Sequence, residues 1–246
     1  MPKLANTNME NHQIGGSNFK FSATRIEDLG ASEYTLGVIV VDVSGSVEPY
    51  RKEIEGALKE VVKACRRSPR ADNMMLRVVL FDHKITELHG FRPLPDCNEA
   101  DYDGCVPAGG NTALYDAAYS SIKSAIDYGK KLTEKDFDCN AAVFVITDGQ
   151  DNSSTSTCSM VAEALKKARS SEALESIMPV LIGVSTDPGL DQYLTMFKDE
   201  AGFQQYVSIG QANEKSLAKL GGFISKSISS QSQALGTGGA SQSLVF

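Results

Sequence analysis

The sequence predicts an α/β fold: a doubly wound, mostly parallel six-stranded sheet with one antiparallel edge strand and helices on both faces. Three observations carry this. Short Val- and Ile-rich runs, such as residues 37–41 and 141–146, are apolar throughout, as strands covered on both faces are. Segments with apolar residues at helical spacing alternate with them. Strands alternating with helices are the pattern of a parallel sheet joined by helical crossovers.

The elements follow in order. Residues 1–33 are polar and mixed and read as a flexible N-terminal segment. The first strand is 34–43. Pro49 opens a helix, as proline does at a first helical position, and Tyr50, Ile54, Leu58, Val61 and Cys65 form its inner stripe. A second strand spans 74–82 and a third 84–91. The turn between them is too short for a crossover, so this pair is antiparallel. A long loop, 92–110, carries three prolines and precedes a helix over 113–128. Strands at 141–147, 176–184 and 203–208 alternate with helices at 157–171, from Asp187-Pro188 to about 198, and at 213–228. The α/β domain is thus 34–228. Residues 229–246 turn to Ser, Gln, Gly and Ala and read as a flexible tail, with an apolar end at Leu244-Val245-Phe246 that frays or docks.

Composition narrows the function classes. A net charge of −7 without a basic patch argues against nucleic acid as a partner. Five cysteines, an odd number without a C-x-x-C pair, read as free thiols in a reducing compartment. The first 16 residues lack the apolar stretch of a secretory signal, and no run approaches the roughly 20 apolar residues of a membrane span. The expectation is a cytoplasmic protein without a membrane partner.

Three remote segments place oxygen ligands at the carboxyl edge of the predicted sheet, where ligands of open α/β sheets bind. Asp42, Ser44 and Ser46 alternate directly after the first strand. Thr112 follows Gly109-Gly110-Asn111 at a helix start. Asp148 follows the strand at 141–147, in Thr147-Asp148-Gly149. Two carboxylates and three neutral hydroxyls suit a hard cation, Mg²⁺ first, with Mn²⁺ and Ca²⁺ as alternatives. None of these segments contains His or Cys, which argues against a soft or zinc-type site.

This D-x-S-x-S stretch, the later Thr and the Thr-Asp-Gly, in that order, resemble the von Willebrand factor A domain and its metal-ion-dependent adhesion site. The resemblance covers about residues 34–228. It implies that Ser44, Ser46 and Thr112 bind metal through their hydroxyls, with Asp42 and Asp148 acting directly or through water. It further implies an open coordination position for an Asp or Glu of a partner protein, and an adaptor or assembly subunit, with an AAA+ ATPase or self-assembly among the partners. Without the metal, the same serines and threonine are helix caps and Asp148 shapes a turn.

Enzyme classes fare worse. A phosphatase of the haloacid-dehalogenase type needs a carboxylate where Ser44 stands. The chain has no G-x-x-x-x-G-K-[ST] loop and no G-x-G-x-x-G, and no histidine adjoins a nucleophile motif. The expectation is a non-enzyme, with a metal-independent scaffold and a metal-dependent hydrolase as alternatives. Four weaker signals remain. His83, His89, Cys97 and Cys105 share one stretch without zinc spacing. Asp96, Glu99, Asp101 and Asp103 form an acidic loop lacking the spacing of an EF-hand. Asp116 either orients Thr112 or is solvated, and Asp151 and Asn152 extend the Asp148 loop.

Overall fold

The computed structural model describes residues 8–240 and 244–246. Eight strands form one sheet: β1 Met9–Gln13, β2 Lys20–Thr24, β3 Glu33–Asp42, β4 Met74–Phe81, β5 Ile85–Pro93, β6 Asp138–Thr147, β7 Ile177–Gly183 and β8 Gln205–Ser208. Five helices accompany them: α1 Arg51–Arg66, α2 Leu114–Thr133, α3 Cys158–Ser170, α4 Pro188–Ala201 and α5 Glu214–Thr237. The strand order is β1-β2-β5-β4-β3-β6-β7-β8. β3 pairs in parallel with β4 on one side and β6 on the other, and β7 and β8 continue in parallel. The order therefore reverses between β3 and β6, which opens a crevice beyond their carboxyl ends.

Alternation along β3 sorts its side chains into two cores. Leu36, Val38 and Val40 join a core with residues of α2, α3 and α4, whereas Ile39 and Val41 join one with residues of α1 and α5. Every residue of β4 is buried, and so is all of β6 after Asp138. These are the strands the apolar runs announced.

The six-stranded expectation is corrected to eight strands. β5 is antiparallel to β4, as the short turn requires, but it is not the edge. Residues 9–24, read from the sequence as flexible, form an antiparallel hairpin that lays β2 parallel to β5. The hairpin is anchored by few apolar groups: Ile14, Phe21 and Ala23 are buried, and Phe21 stacks edge-on against Phe91 and Tyr128. β1, Met-Glu-Asn-His-Gln, is half solvated and shows no alternation for a sequence reading to detect. The approach of β2 to β5 requires a glycine, since a Cβ on Gly90 would lie 1.9 Å from the Ser22 carbonyl oxygen.

The tail is corrected as well. α5 runs nine residues past the expected end at Ile228 and stops at Gly238, which takes the left-handed conformation of a C-cap (φ 63°). Beyond Ile228 its last turns bury Gln231 and Ser232. The Asn140 amide donates to the Gln231 carbonyl oxygen at 2.9 Å. Arg70 donates from Nε to Ser232 Oγ at 3.0 Å and pairs through Nη2 with Glu33, joining the start of β3 to the end of α5. Phe246 packs edge-on against Phe223, under the Lys219 ammonium. The parts of the two flexible-segment expectations that fall on residues 1–7 and 241–243 lie outside the described residues.

Candidate functional site

β3 ends in Asp42, and the chain turns at once through a 3₁₀ segment, Gly45–Tyr50, before α1. That turn takes in Pro49 and Tyr50, so the expected helix begins at Arg51 instead of Pro49. It brings Ser44 and Ser46 back over the crevice, with their Oγ atoms 3.1 Å apart. Ser46 Oγ donates to Asp148 Oδ1 at 2.8 Å. Asp42 accepts from the Ser44 backbone N–H at 2.9 Å through Oδ1 and from Thr147 Oγ1 at 2.6 Å through Oδ2. Parallel neighbours β3 and β6, with Val41 opposite Ile146, make these meetings possible.

Thr112 arrives from the third segment. Its loop is pinned on both sides: the Gly109 N–H donates to the Val43 carbonyl, and the Ala113 N–H donates to the Asp82 carbonyl. Gly110 lies at φ +82°, where a Cβ would come within 2.6 Å of His83 Nδ1, so only glycine fits. Thr112 and Asn152 clamp each other, with Thr112 N donating to Asn152 Oδ1 at 2.8 Å and Asn152 N to the Thr112 carbonyl at 3.0 Å. The Thr112 hydroxyl faces Gly149, the residue after Asp148: a Cβ there would sit 3.2 Å from it.

The structure thus gathers Asp42, Ser44, Ser46 and Asp148 in one hydrogen-bonded chain and brings Thr112 against the Asp148 loop. The set is graded from interior to surface, with Asp42 at 2% exposure, Asp148 half-buried and Ser46 exposed. A groove of about 550 Å³ opens beside Tyr50 and Asp148 and continues past Ser185 and Asn213.

Burial first, with the Asp148 charge adding to it, pushes the Asp42 carboxyl up to about 6, against the opposing pull of its Thr147 and Ser44 hydrogen bonds. Among the described residues neither Asp42 nor Asp148 has an ion-pair partner. A buried carboxylate facing a second carboxylate without a counter-charge is a costly arrangement, and a cation resolves it. No group of three or more His, Cys, Asp or Glu side chains among the described residues is placed to hold a metal. A metal here would have to rest largely on hydroxyls, and the donor set fits a hard cation in that sense.

Two residues in this network carried no functional assignment in the sequence. Thr147 holds Asp42, and Tyr50, read as part of the helix stripe, hydrogen-bonds Asp148 Oδ2 through its hydroxyl. Nothing in the spacing of Tyr50 marks it, whereas Thr147 stands inside the Thr-Asp-Gly signal itself. Asp116 neither orients Thr112 nor is solvated. It accepts from the Thr155 and Ser156 N–H groups at 3.0 and 2.7 Å and so folds the 154–156 loop over the start of α2. Asp151 accepts from the Tyr115 N–H at the same helix start. The zinc alternative is not supported: His89 is buried, its Nε2 on the Tyr102 hydroxyl at 2.8 Å and its Nδ1 on the Gly90 carbonyl at 3.0 Å. In the acidic loop, Asp101 pairs with Arg92 and Asp103 with Lys59.

No protein-family model matches this chain, and no curated protein does. Solved structures do match. A D319A mutant of the PilB minor pilin from Streptococcus sanguinis aligns with TM-score 0.60 at 14% identity, over 92% of this chain and 68% of that one. Proximal thread matrix protein 1 from the mussel byssus, in a form with a zinc-occupied MIDAS motif, aligns with TM-score 0.52 at 19% identity, over 80% and 46%. The pilus adhesin SpaC from Lactobacillus rhamnosus GG, in its open conformation, aligns with TM-score 0.55 at 10% identity, over 86% and 31%. This chain spans about two thirds of the pilin and less than half of the other two. With its central parallel sheet, its helices on both faces and these structural neighbours, the chain has a von Willebrand factor A-like fold.

Proposed function

We propose that this chain is a protein-binding module that uses a divalent cation, Mg²⁺ first, to capture an acidic side chain of a partner. The observation that carries the reading is the buried Asp42, faced by Asp148 and three hydroxyl-bearing residues with no cationic side chain among the described residues to balance it. Ser44, Ser46, Thr112, Asp42 and Asp148 would hold the cation. Neutral hydroxyls leave it electrophilic, and the chemistry it supplies is a bond to an incoming carboxylate. Ser46 and the groove beside Tyr50 sit where a partner's acidic residue and its flanking chain would approach. Structural neighbours named as a minor pilin, a pilus adhesin and a thread matrix protein favour adhesion or assembly over catalysis. The reading assigns no catalytic residue, and self-assembly and an AAA+ ATPase are partners within it.

A second reading rests on one specific observation. Both Asp148 oxygens already accept hydrogen bonds, from Ser46 and Tyr50, so the knot is closed without a metal and can serve a metal-independent scaffold. Calorimetric titration with Mg²⁺ and Mn²⁺ separates the two. Metal-dependent capture requires binding at millimolar concentration or below, lost in Asp42→Ala with the fold retained by circular dichroism. It also requires that a glutamate-bearing peptide partner be released by EDTA. A wild-type protein that takes up neither ion leaves the scaffold.

A further inference from the structure

β1 ends the sheet on the hairpin side, and among the described residues no strand pairs with its outer edge. Its register with β2 decides which backbone groups look outward. The Ile14 N–H donates to the Phe19 carbonyl and the Arg25 N–H to the Asn8 carbonyl, both at 2.9 Å. Hydrogen-bonded and non-hydrogen-bonded pairs alternate along an antiparallel ladder. Between those two ends, then, His12 and Glu10 turn their backbone groups toward Phe21 and Ala23. Met9, Asn11 and Gln13 turn theirs away from β2. Free edges are usually guarded by proline, lysine or a bulge, and β1 has none of these. Its carboxylate, Glu10, makes only a loose, exposed contact with Arg25 at 3.6 Å.

The strand Met-Glu-Asn-His-Gln is complementary to itself. A twofold axis at Asn11 sets Asn11 against Asn11 of a second copy, and Met9 against Gln13, all with outward backbone groups that can bond across the seam. Glu10 then lies opposite His12 twice, at the closer, non-hydrogen-bonded positions and on one face of the sheet. An imidazole N–H donates to a carboxylate in either protonation state of the ring, and the Asn11 amides can donate and accept in turn. Other registers are worse. An axis at residue 10 sets Glu10 against Glu10, a like-charge pair that destabilises, and an axis at residue 12 sets His12 against His12. Both also shorten the ladder. We propose that two copies of this chain pair antiparallel through β1, joining their sheets into one. The inference does not rest on the cation site, since β2, β5 and β4 separate β1 from β3.

The test uses the whole chain in EDTA, so that a bound divalent cation makes no contribution. Sedimentation equilibrium should show a weak dimer, dissociating at micromolar to millimolar concentration as small interfaces do. NMR amide shifts on dilution should centre on residues 9–13. Asn11→Pro removes an N–H that the monomer leaves to solvent and that the dimer uses in both copies. It should weaken association at least about tenfold, the worth of two hydrogen bonds. Glu10→Lys and His12→Glu should each weaken it as well. Mixed together, the two variants set a lysine against a glutamate at one pair and keep His12 against Glu10 at the other. The mixture should therefore associate more tightly than either variant alone. Should His12→Glu not fold, Asn11→Pro decides by itself. A wild-type chain monomeric at millimolar concentration, dilution shifts centred elsewhere, an affinity indifferent to Asn11→Pro, or a mixture no tighter than its components overturns the assignment.

Discussion

Thr147 is the residue on which Asp42 leans most directly. Its hydroxyl donates at 2.6 Å to a carboxylate that burial has stripped of water. Thr147→Val keeps the shape and removes the donor, so the metal-free protein should lose about 1.5–3 kcal/mol, the worth of a hydrogen bond to a charged group, by urea denaturation above the Asp42 titration. His89 supplies a pH prediction. Burial, with Arg92 and Arg77 nearby, lowers its pKa from 6.5 to about 3, so the ring is neutral in the fold while the unfolded chain takes up a proton. The unfolded state then binds more protons below 6.5, and stability falls as pH drops from there toward 3. The His89 ring resonances should hold their neutral position down to the acid transition; an ordinary titration near 6.5 would contradict its burial. At this scale the sequence points to the five residues proposed to hold a cation because each lies in a short contiguous signal. It hides the role of Tyr50 and the clamp of Asn152 on Thr112, which exist only once segments far apart in the chain meet.

The elements divide by how their cores are made. β3, β4 and β6 were legible because apolar side chains fill most of both faces. The hairpin was not, because an edge strand such as β1 needs few apolar residues and its contacts are long-range. The end of α5 was hidden for the opposite reason: its buried face is serine and glutamine, which composition reads as linker. Both corrections can be tested. Gly90→Ala drives a methyl into the Ser22 carbonyl and should cost about 1–3 kcal/mol, with hydrogen-exchange protection lost first from β1 and β2. Ending the chain after Ile228 removes the Gln231 carbonyl from Asn140 and Phe246 from Phe223. It should destabilise the protein by about 2 kcal/mol or more, read from the urea midpoint.

At the scale of the molecule, the reversal of strand order between β3 and β6 decides where the site lies. The alternation of strands and helices was enough to place it at the carboxyl edge, and the structure supplies the adjacency. If a cation completes the site, Mg²⁺ at a hundredfold excess over its dissociation constant should stabilise the fold by about 2.7 kcal/mol, a gain absent in Asp42→Ala. A melting temperature indifferent to Mg²⁺ and EDTA speaks for the scaffold. The Arg70 side chain has a different bearing. By touching Glu33 and Ser232 together it brings the opening of β3 beside the last turns of α5. The α/β unit is thereby almost a ring, so a short linker could splice those two points and fresh termini could be cut into a surface loop. Such a circular permutant, with the hairpin left off, would show which strands need covalent order and which need only neighbours.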